Sequence, residues 1–520
     1  MKFIQGENRN QIELFPISID HAIPEDHEVR LVDLFVDSLP LEKYGFRVDY
    51  PENGRPGYHP GCILKLFLYG YMNKVRSSRD LEKETHRNIE VIWLLNRLHP
   101  DHNTISNFRR DNQAAIKKVF RETVTMAKRF NLIGGKLIAG DSSKFRAQNS
   151  KKNNYNQKKI DQHIQYIDSK LDAYCKELAQ NDGDGIRADE LKKAIKDQAQ
   201  RKTKYHQLQK QLLETGGEQI STSDPESRQM ITRNNITEVA YNVQTTVDEK
   251  HNILIDYKVS NNNDSKAMGN MLRRAKSILR DNSFTALYDK GYHTGSEFKT
   301  ANDLGVNVLV AIPALPSSSQ APCPDYNLDK FYYNKQNDTY TCPQGHLLKS
   351  NGNWYAEKNS RFKQYRTNAC KNCPVKHLCT RSIKNPRIIQ RSQYAEYVEK
   401  NKANVDKYKD IYKKRQAIVE HPYGTIKRQW GFSYILTKKG KNRAEAEMGL
   451  MFTAYNLRRL FNILGKDAFR EYLKSLLRDI NCFFVHIKAV FSFFYNSKND
   501  PIIHCNFKNL ALCLFLLTYF

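Results

Sequence analysis

Long apolar runs are missing from this 520-residue chain. No uninterrupted stretch reaches the ~18 residues that a membrane-crossing helix needs. The opening MKFIQGENRNQIELF has no apolar core of the ~7–15 residues that marks a secretory signal. Near the end, LALCLFLLTYF spans only 11 residues and FFVHIKAVFSFFY is broken by His486 and Lys488. Both read as packed or docking segments. Cysteine is sparse: ten residues, scattered except for one cluster. That excludes a secreted disulfide scaffold and fits a reducing cytosol. Acid is short as well. Only 56 Asp and Glu face 83 Lys and Arg, for a net charge of +27. Such an excess of one sign points to a polyanionic partner, nucleic acid before a membrane surface.

What is present suffices for a large core. Apolar residues make up 40% of the chain, with 29 Tyr and 25 Phe, and the length suggests two to four folded units. Residues 1–130 read as a helical N-terminal region. HPGCILKLFLYGYMNKV is amphipathic from Pro60, Ser77 and Ser78 make a cap pattern before Asp80, Glu82 and Glu84, and a basic helix follows Asn103 and Thr104. Short helices with tight polar breaks suit a helix-turn-helix-like DNA reader or a plain helical bundle. In the first reading Arg109, Arg110, Lys117 and Lys118 contact DNA phosphates.

At residue 131 the pattern changes. GGKLIAGDSSKF is a β-type run ending at Asp141. Next, Ile160, Ile164, Ile167, Leu171, Tyr174 and Leu178 recur at steps of four, three, four, three and four, a heptad seam. NDGDG at 181–185 breaks it before a second helical run, so residues 151–222 read as an inserted antiparallel helical hairpin. Alternation returns over 238–260 as a β-hairpin turning at Asp248–Asn252. A helix, the strand FTALYD ending at Asp289, another helix and the strand VNVLVAIP follow. The sum is a mixed α/β core with acids at strand ends. One such Asp, before Gly291, is also what an ordinary turn uses. Two of them can hold hard divalent ions through oxygen, and two ions about 4 Å apart can activate water and stabilise a leaving oxygen in phosphodiester cleavage.

A third acid is needed from a helix packed on that sheet. YKKRQAIVEHPYGTIKRQWGF offers Tyr412, Arg415, Glu420 and Lys427, a set suited to metal ions and phosphates together. Pro422 and Gly424 are expected to kink or interrupt the helix. Glu445 and Glu447 lack such neighbours.

GDSSKF, LYDKGY and the Tyr-Arg-Glu-Lys array resemble bacterial insertion-sequence transposases of the DDE class. The resemblance covers roughly residues 15–465, with YHPGCILKLFLYGYMNKVRSSRDLEKE and DPESRQM among its supports. It implies an RNase H-like, retroviral-integrase-type mixed sheet flanked by helices over residues 131–465. It further implies a metal triad at Asp141, Asp289 and Glu420 holding two Mg²⁺ (or Mn²⁺) ions, and an accessory set at Tyr412, Arg415 and Lys427 beside DNA phosphates. The implied reaction cuts the element's ends and joins their 3′-hydroxyls to target DNA. Its partners are terminal inverted repeats and target DNA, with a homodimer in the synaptic complex and no membrane. The implied location is the bacterial cytoplasm at the nucleoid. One departure stands out: the commonest signature leaves three residues between Arg and Glu, and Arg415 and Glu420 have four, with Gln416 at the expected position. Two other readings use the same residues, a nuclease that cuts without joining and a non-catalytic DNA-binding protein left by a decayed element.

The cysteine cluster falls within residues 314–400. Cys370, Cys373 and Cys379 follow C-x2-C-x5-C spacing, with Cys342 and His346 upstream. Four thiolates around a structural Zn²⁺ are one reading, reduced structural thiols or a disulfide the other. Cys323 and His377 are spare ligands. A zinc would staple an insertion with little core of its own, and the insertion is expected to help hold DNA. Residues 466–520 are an apolar tail unusual for this family.

Overall fold

A computed structural model describes residues 18–49, 56–180, 185–232, 236–281, 283–317, 319–357, 360–437 and 439–478. Most of the apolar tail, residues 479–520, and the expected break at 181–184 lie outside them. No helix among the described residues is long and apolar enough to cross a membrane. The chain forms two compact units. One holds the described residues up to Gly70, Ser78–Ile105 and the chain from Leu460; the other holds Tyr71–Ser77 and Ser106–Arg459.

The first unit is helical: α1 (Glu28–Asp37), α2 (Leu41–Tyr44), most of α3 (Pro60–Met72), α4 (Ser78–Arg87) and α5 (Ile89–Leu94). Val29, Val32, Phe35 and Val36 give α1 one buried stripe. His27 caps its start by accepting from the Val29 amide at 3.3 Å, and Asn88 does the same for α5 through the Glu90 amide at 3.0 Å. Lys65 bridges Asp33 and Asp37 at 2.6 and 2.7 Å. Beyond residue 465 the described chain is a helix over 466–478 that buries Phe469 and Leu473.

The second unit begins with α6 (His102–Asp111, shared with the first) and α7 (Gln113–Arg129), then β1 (Leu137–Arg146). A two-strand ribbon, β2 (Asn154–Tyr155) and β3 (Ile220–Ser221), closes the base of the hairpin α8 (Gln157–Gln180) and α9 (Gly185–Thr215). The expected heptad seam runs along α8. Ile160 and Ile167 are buried, whereas Leu171, Tyr174 and Leu178 towards the tip are half-exposed. At the base Ile160, Leu212 and Ile220 pack with Ile164, Tyr205 and Leu208.

The main sheet adds β4 (Arg228–Ile231), β5 (Thr237–Asp248), β6 (Leu254–Ser260), β7 (Thr285–Tyr288) and β8 (Asn307–Val310), in the order β4-β5-β1-β7-β8 with β6 also on β5. β1 is antiparallel to β5 from Ile138↔Asp248 to Arg146↔Ala240, and parallel to β7. The expected hairpin turn is closed by Asp248, which is buried and accepts from the Gly134, Gly135 and Lys250 amides. The parallel crossovers pass through α10 (Met268–Leu279) and α11 (Gly295–Asp303). Gly140 lets β1 and β7 meet: a Cβ there would lie 2.0 Å from Cε1 of Tyr288.

A second, antiparallel sheet carries the cysteines: β9 (Tyr332–Asn334), β10 (Thr339–Thr341), β11 (Leu347–Ser350), β12 (Tyr355–Glu357), β13 (Ser360–Arg366) and, after the short α12 (Lys376–Cys379), β14 (Ile389–Ser392). Then α13 (Ala395–Lys407), α14 (Lys409–Lys413) and α15 (Arg415–Tyr423) return to the main sheet, and α16 (Lys441–Leu464) follows. At Pro422 and Gly424, where a kink or interruption is expected, the chain stays helical but changes helix type. It widens into a π-helix over Gly424–Gln429, with the Trp430 amide bonded to the Thr425 carbonyl at 2.9 Å.

Candidate active site

Asp141 lies where β1 passes the end of β7. Its Oδ1 accepts from the Ser142 amide at 2.8 Å, and Thr245 faces it across the ladder. Asp289 is the first residue beyond β7. Its side chain caps a 3-10 turn by accepting from the Gly291 amide at 2.8 Å. β7 is parallel to β1 with Leu287 beside Ala139, so both acids come to one level, although β1 does not end at Asp141 as expected but runs on to Arg146 along β5. This is the sheet end where α/β proteins place ligands. Asp289 therefore caps a turn and stands beside a second acid at once.

Burial pushes the Asp141 carboxyl up to about 6. Arg415 and the Ser142 amide pull it down, and Asp289 and Asp264 push it up again. Arg415 opens α15 and holds Nη1 3.4 Å from Asp141 Oδ2. Tyr412 on α14 donates to the Tyr288 carbonyl at 3.0 Å, which ties this helical segment to the residue before Asp289. Asp141, Asp289, Arg415 and Tyr412 are thus brought together.

Glu420 stands apart from them. It is exposed and accepts from Gln416 Nε2 at 3.0 Å, one turn back on the same helix. At about 100° per residue it lies about 60° round the helix from Tyr423. The Tyr423 hydroxyl donates to the Val243 carbonyl at 2.9 Å and meets Thr245 Oγ1 at 3.0 Å. Among the described residues no three His, Cys, Asp or Glu side chains are gathered closely enough to hold a metal ion. Glu420 therefore does not join the two aspartates in this conformation.

Several expected phosphate contacts are spent internally. Lys427 donates to Ser143 Oγ and to the Lys144 carbonyl, both at 2.6 Å, with its ammonium 4.2 Å from the Phe145 ring centre. Burial, with Lys144 adding to it, lowers its amine to about 8. Lys427 is a strut between the π-helix and β1. Arg109 is buried, donates to the Tyr71 hydroxyl at 3.1 Å and lies 3.8 Å from the buried Glu447. That makes it an internal counter-ion, out of reach of a phosphate. Lys117 bonds Glu445 at 2.8 Å and the Tyr257 carbonyl. Arg110 is exposed but doubly bonded to Asp111; Lys118 is exposed.

Sequence reasoning missed Asp264, on the 3-10 turn between β6 and α10. Its Oδ1 accepts from Asn242 and Gln244 at 2.7 Å each, and Oδ2 from Lys144 at 3.1 Å. Burial works against its charge, yet Lys144, Asn242, Ser142 and Gln244 hold the carboxyl below its usual range. A Cβ on Gly291 would meet Asp289 Oδ1 at 3.0 Å and Asp264 Oδ2 at 3.6 Å, so the two carboxylates border one open point. The available signal was another acid just beyond a strand, in SNNNDSK. Burial of Asp141 among like charges is the condition a divalent cation relieves, and its oxygens are the donor type such ions take.

In the second sheet Cys342, Cys370, Cys373 and Cys379 line one small cavity of about 30 Å³ with His346 and Arg387, and Cys323 and His377 do not line it. All four are free thiols, so the disulfide reading does not describe this structure. Burial raises the Cys379 thiol; Arg387 opposes this, and Cys370, Cys342 and Cys373 add to it. The cavity is sulfur-rich, though its thiols stand wider than a closed metal shell.

Two neighbouring carboxylates, one midway along β1 and one just past β7, are oxygen donors of the type that hard divalent cations take. Residues 17–111 match a family model described as a transposase domain (DUF772), and residues 341–461 match the transposase DDE domain. Two parts of the chain are thus similar to transposases, the second of them to the DDE class. The second match includes Tyr412, Arg415, Glu420 and Lys427 but neither Asp141 nor Asp289. A solved structure described as the piggyBac transposase synaptic complex with hairpin DNA aligns over 92% of this chain and 82% of its own, at 8% identity and a TM-score of 0.28. No curated protein matches the chain.

Proposed function

We propose that Asp141, Asp289 and Glu420 are the acids that hold two Mg²⁺ ions, and that the main sheet is of the RNase H-like kind. The observation that carries this is the closeness of Asp141, midway along β1, to Asp289, just past the end of the adjacent parallel β7, with Asp141 raised to about 6. The mixed strand order, with an antiparallel hairpin beside parallel strands, supports the fold reading. Divalent ions would supply Lewis-acid activation of water and stabilise the leaving 3′-oxygen. The chain's own residues prepare that site. Arg415 balances the Asp141 charge until cations replace it, and Tyr412 fixes the helix that carries Arg415 and Glu420 against the end of β7. Glu420, whose exposed carboxylate accepts from Gln416 here, would be the third residue to hold the ions.

The N-terminal helical region is then the reader of terminal inverted repeats, with synapsis of two ends in a homodimer at the bacterial nucleoid. The four cysteines would, on drawing together, hold a structural Zn²⁺ that braces the second sheet. The test uses DNA carrying the inverted repeats that flank the gene. Mg²⁺-dependent cleavage, followed by joining of precut ends to target DNA, is the expected outcome. Cleavage retained in Asp289→Asn would reject the acid assignment, and cutting without joining would make the protein a nuclease. The same loss in Glu420→Gln as in Asp289→Asn is required of a third ligand.

A further inference from the structure

The sheet that carries the cysteines has two unlike faces. One is packed, with Tyr340, Leu348, Tyr365, Ile389 and Phe331 forming a closed core. Alternation places Leu347 and Lys349 of β11, and Phe362, Gln364 and Arg366 of β13, on the other. On that face Leu347 is 53% and Tyr332 of β9 70% exposed, and Lys349 and Arg366 are exposed too. Strand register sets Lys349 directly opposite Arg366. Like charges in that position repel and weaken the ladder. Neither cation has an ion-pair partner among the described residues. The nearby acids are taken elsewhere: Asp338 by Lys363, Glu396 by Lys335 and Glu399 by Arg391. Across residues 314–400 there are 14 Lys and Arg against six Asp and Glu, so the whole insertion favours an anion.

We propose that this open face binds the sugar–phosphate backbone of duplex DNA, with Lys349 and Arg366 taking phosphates. The proposal rests on the transposase reading for its choice of polyanion. A phosphate between the two cations turns their repulsion into two attractions, which is the use that a destabilising pair on an uncovered sheet fits. The duplex is favoured over an unpaired strand because two of the three rings on this face, Tyr355 and Phe362, stack on each other 5.9 Å apart and leave Tyr332 alone, where a run of bases needs several open rings. Rings already paired are no open platform for unpaired bases.

The test uses the full chain, wild type and Lys349→Gln/Arg366→Gln, with a labelled mixed-sequence DNA duplex and the same strand unpaired, over a series of salt concentrations. The double variant is expected to bind duplex more weakly and to lose roughly 0.9 from the salt slope for each phosphate contact removed. Its melting temperature should hold or rise, since the repulsion is gone. Unchanged duplex affinity and slope would overturn the proposal, and so would a loss confined to the unpaired strand. If Asp289→Asn still cuts DNA, the acid assignment fails and this face stands. A wild-type chain that binds no DNA removes both.

Discussion

Replacing Asp141 with Asn should stabilise the protein while abolishing cleavage. An ordinary Asp ionises near 3.8, and in the folded chain Asp141 ionises at about 6. At about 1.36 kcal/mol per pH unit, that difference is about 3 kcal/mol against the folded state once the carboxyl is charged. The sign follows from which state releases the proton first. Below pH about 4 both states are protonated and nothing is lost; between about 4 and 6 the unfolded chain ionises first and stability falls; above about 6 the full cost remains. The attraction of Arg415 is already contained in the net shift, so its loss is not counted again. Urea unfolding in EDTA checks this. At pH about 7.5 Asp141→Asn should exceed wild type by up to about 3 kcal/mol, and the gap should close by pH about 4. Adding Mg²⁺ should stabilise wild type and leave the variant unmoved, because an ion bound only by the native state shifts the balance by mass action. A gap absent at neutral pH, or one that persists in acid, would refute the argument.

Asp264→Asn removes the ionised partner of Lys144 beside the two aspartates. Single-turnover cleavage should fall on the order of 10- to 100-fold through misplacement of the site, with DNA affinity unchanged; an unaffected rate would return Asp264 to a purely structural role. Arg109→Ala leaves Glu447 buried with a weaker set of partners and should cost about 3 kcal/mol, read from the urea midpoint. DNA affinity of the folded fraction should not change, and a selective loss of affinity would restore Arg109 as a phosphate contact. Purified protein should contain one zinc per chain. Its removal by a chelator, or Cys370→Ser, should lower the melting temperature and expose all four thiols to a thiol reagent; metal-free protein with the same melting curve would leave the cysteines as packed thiols.

Much of the main sheet was legible from local pattern. Alternation marks β1, β5 and β6 wherever one looks along the chain, and Asp141 within β1 and Asp289 just past β7 were singled out by the same reading. The α8–α9 hairpin came from a seven-residue repeat, and the convergence of Cys342, Cys370, Cys373 and Cys379 on one cavity from close spacing. Apart from Cys342, 28 positions before Cys370, these features depend on neighbours within a few residues. The fate of a given charge does not. Lys117 meets Glu445 across 328 positions, and nothing near either residue tells a cation that will be buried from one that will meet solvent. Arg109, Lys117 and Lys427 therefore looked like surface contacts, and the meeting of Arg109 on α6 and Lys117 on α7 with acids of α16, and of the π-helix with β1, turned them inward. Asp264 was hidden for the converse reason. It lies on a polar loop with turn composition, and only the crossover from β6 through α10 to β7 brings it beside Asp289. By itself the sequence determined which elements form and which acids end them; the tertiary structure decided which charges face one another, because electrostatic partnership depends on distance in space and is blind to separation along the chain.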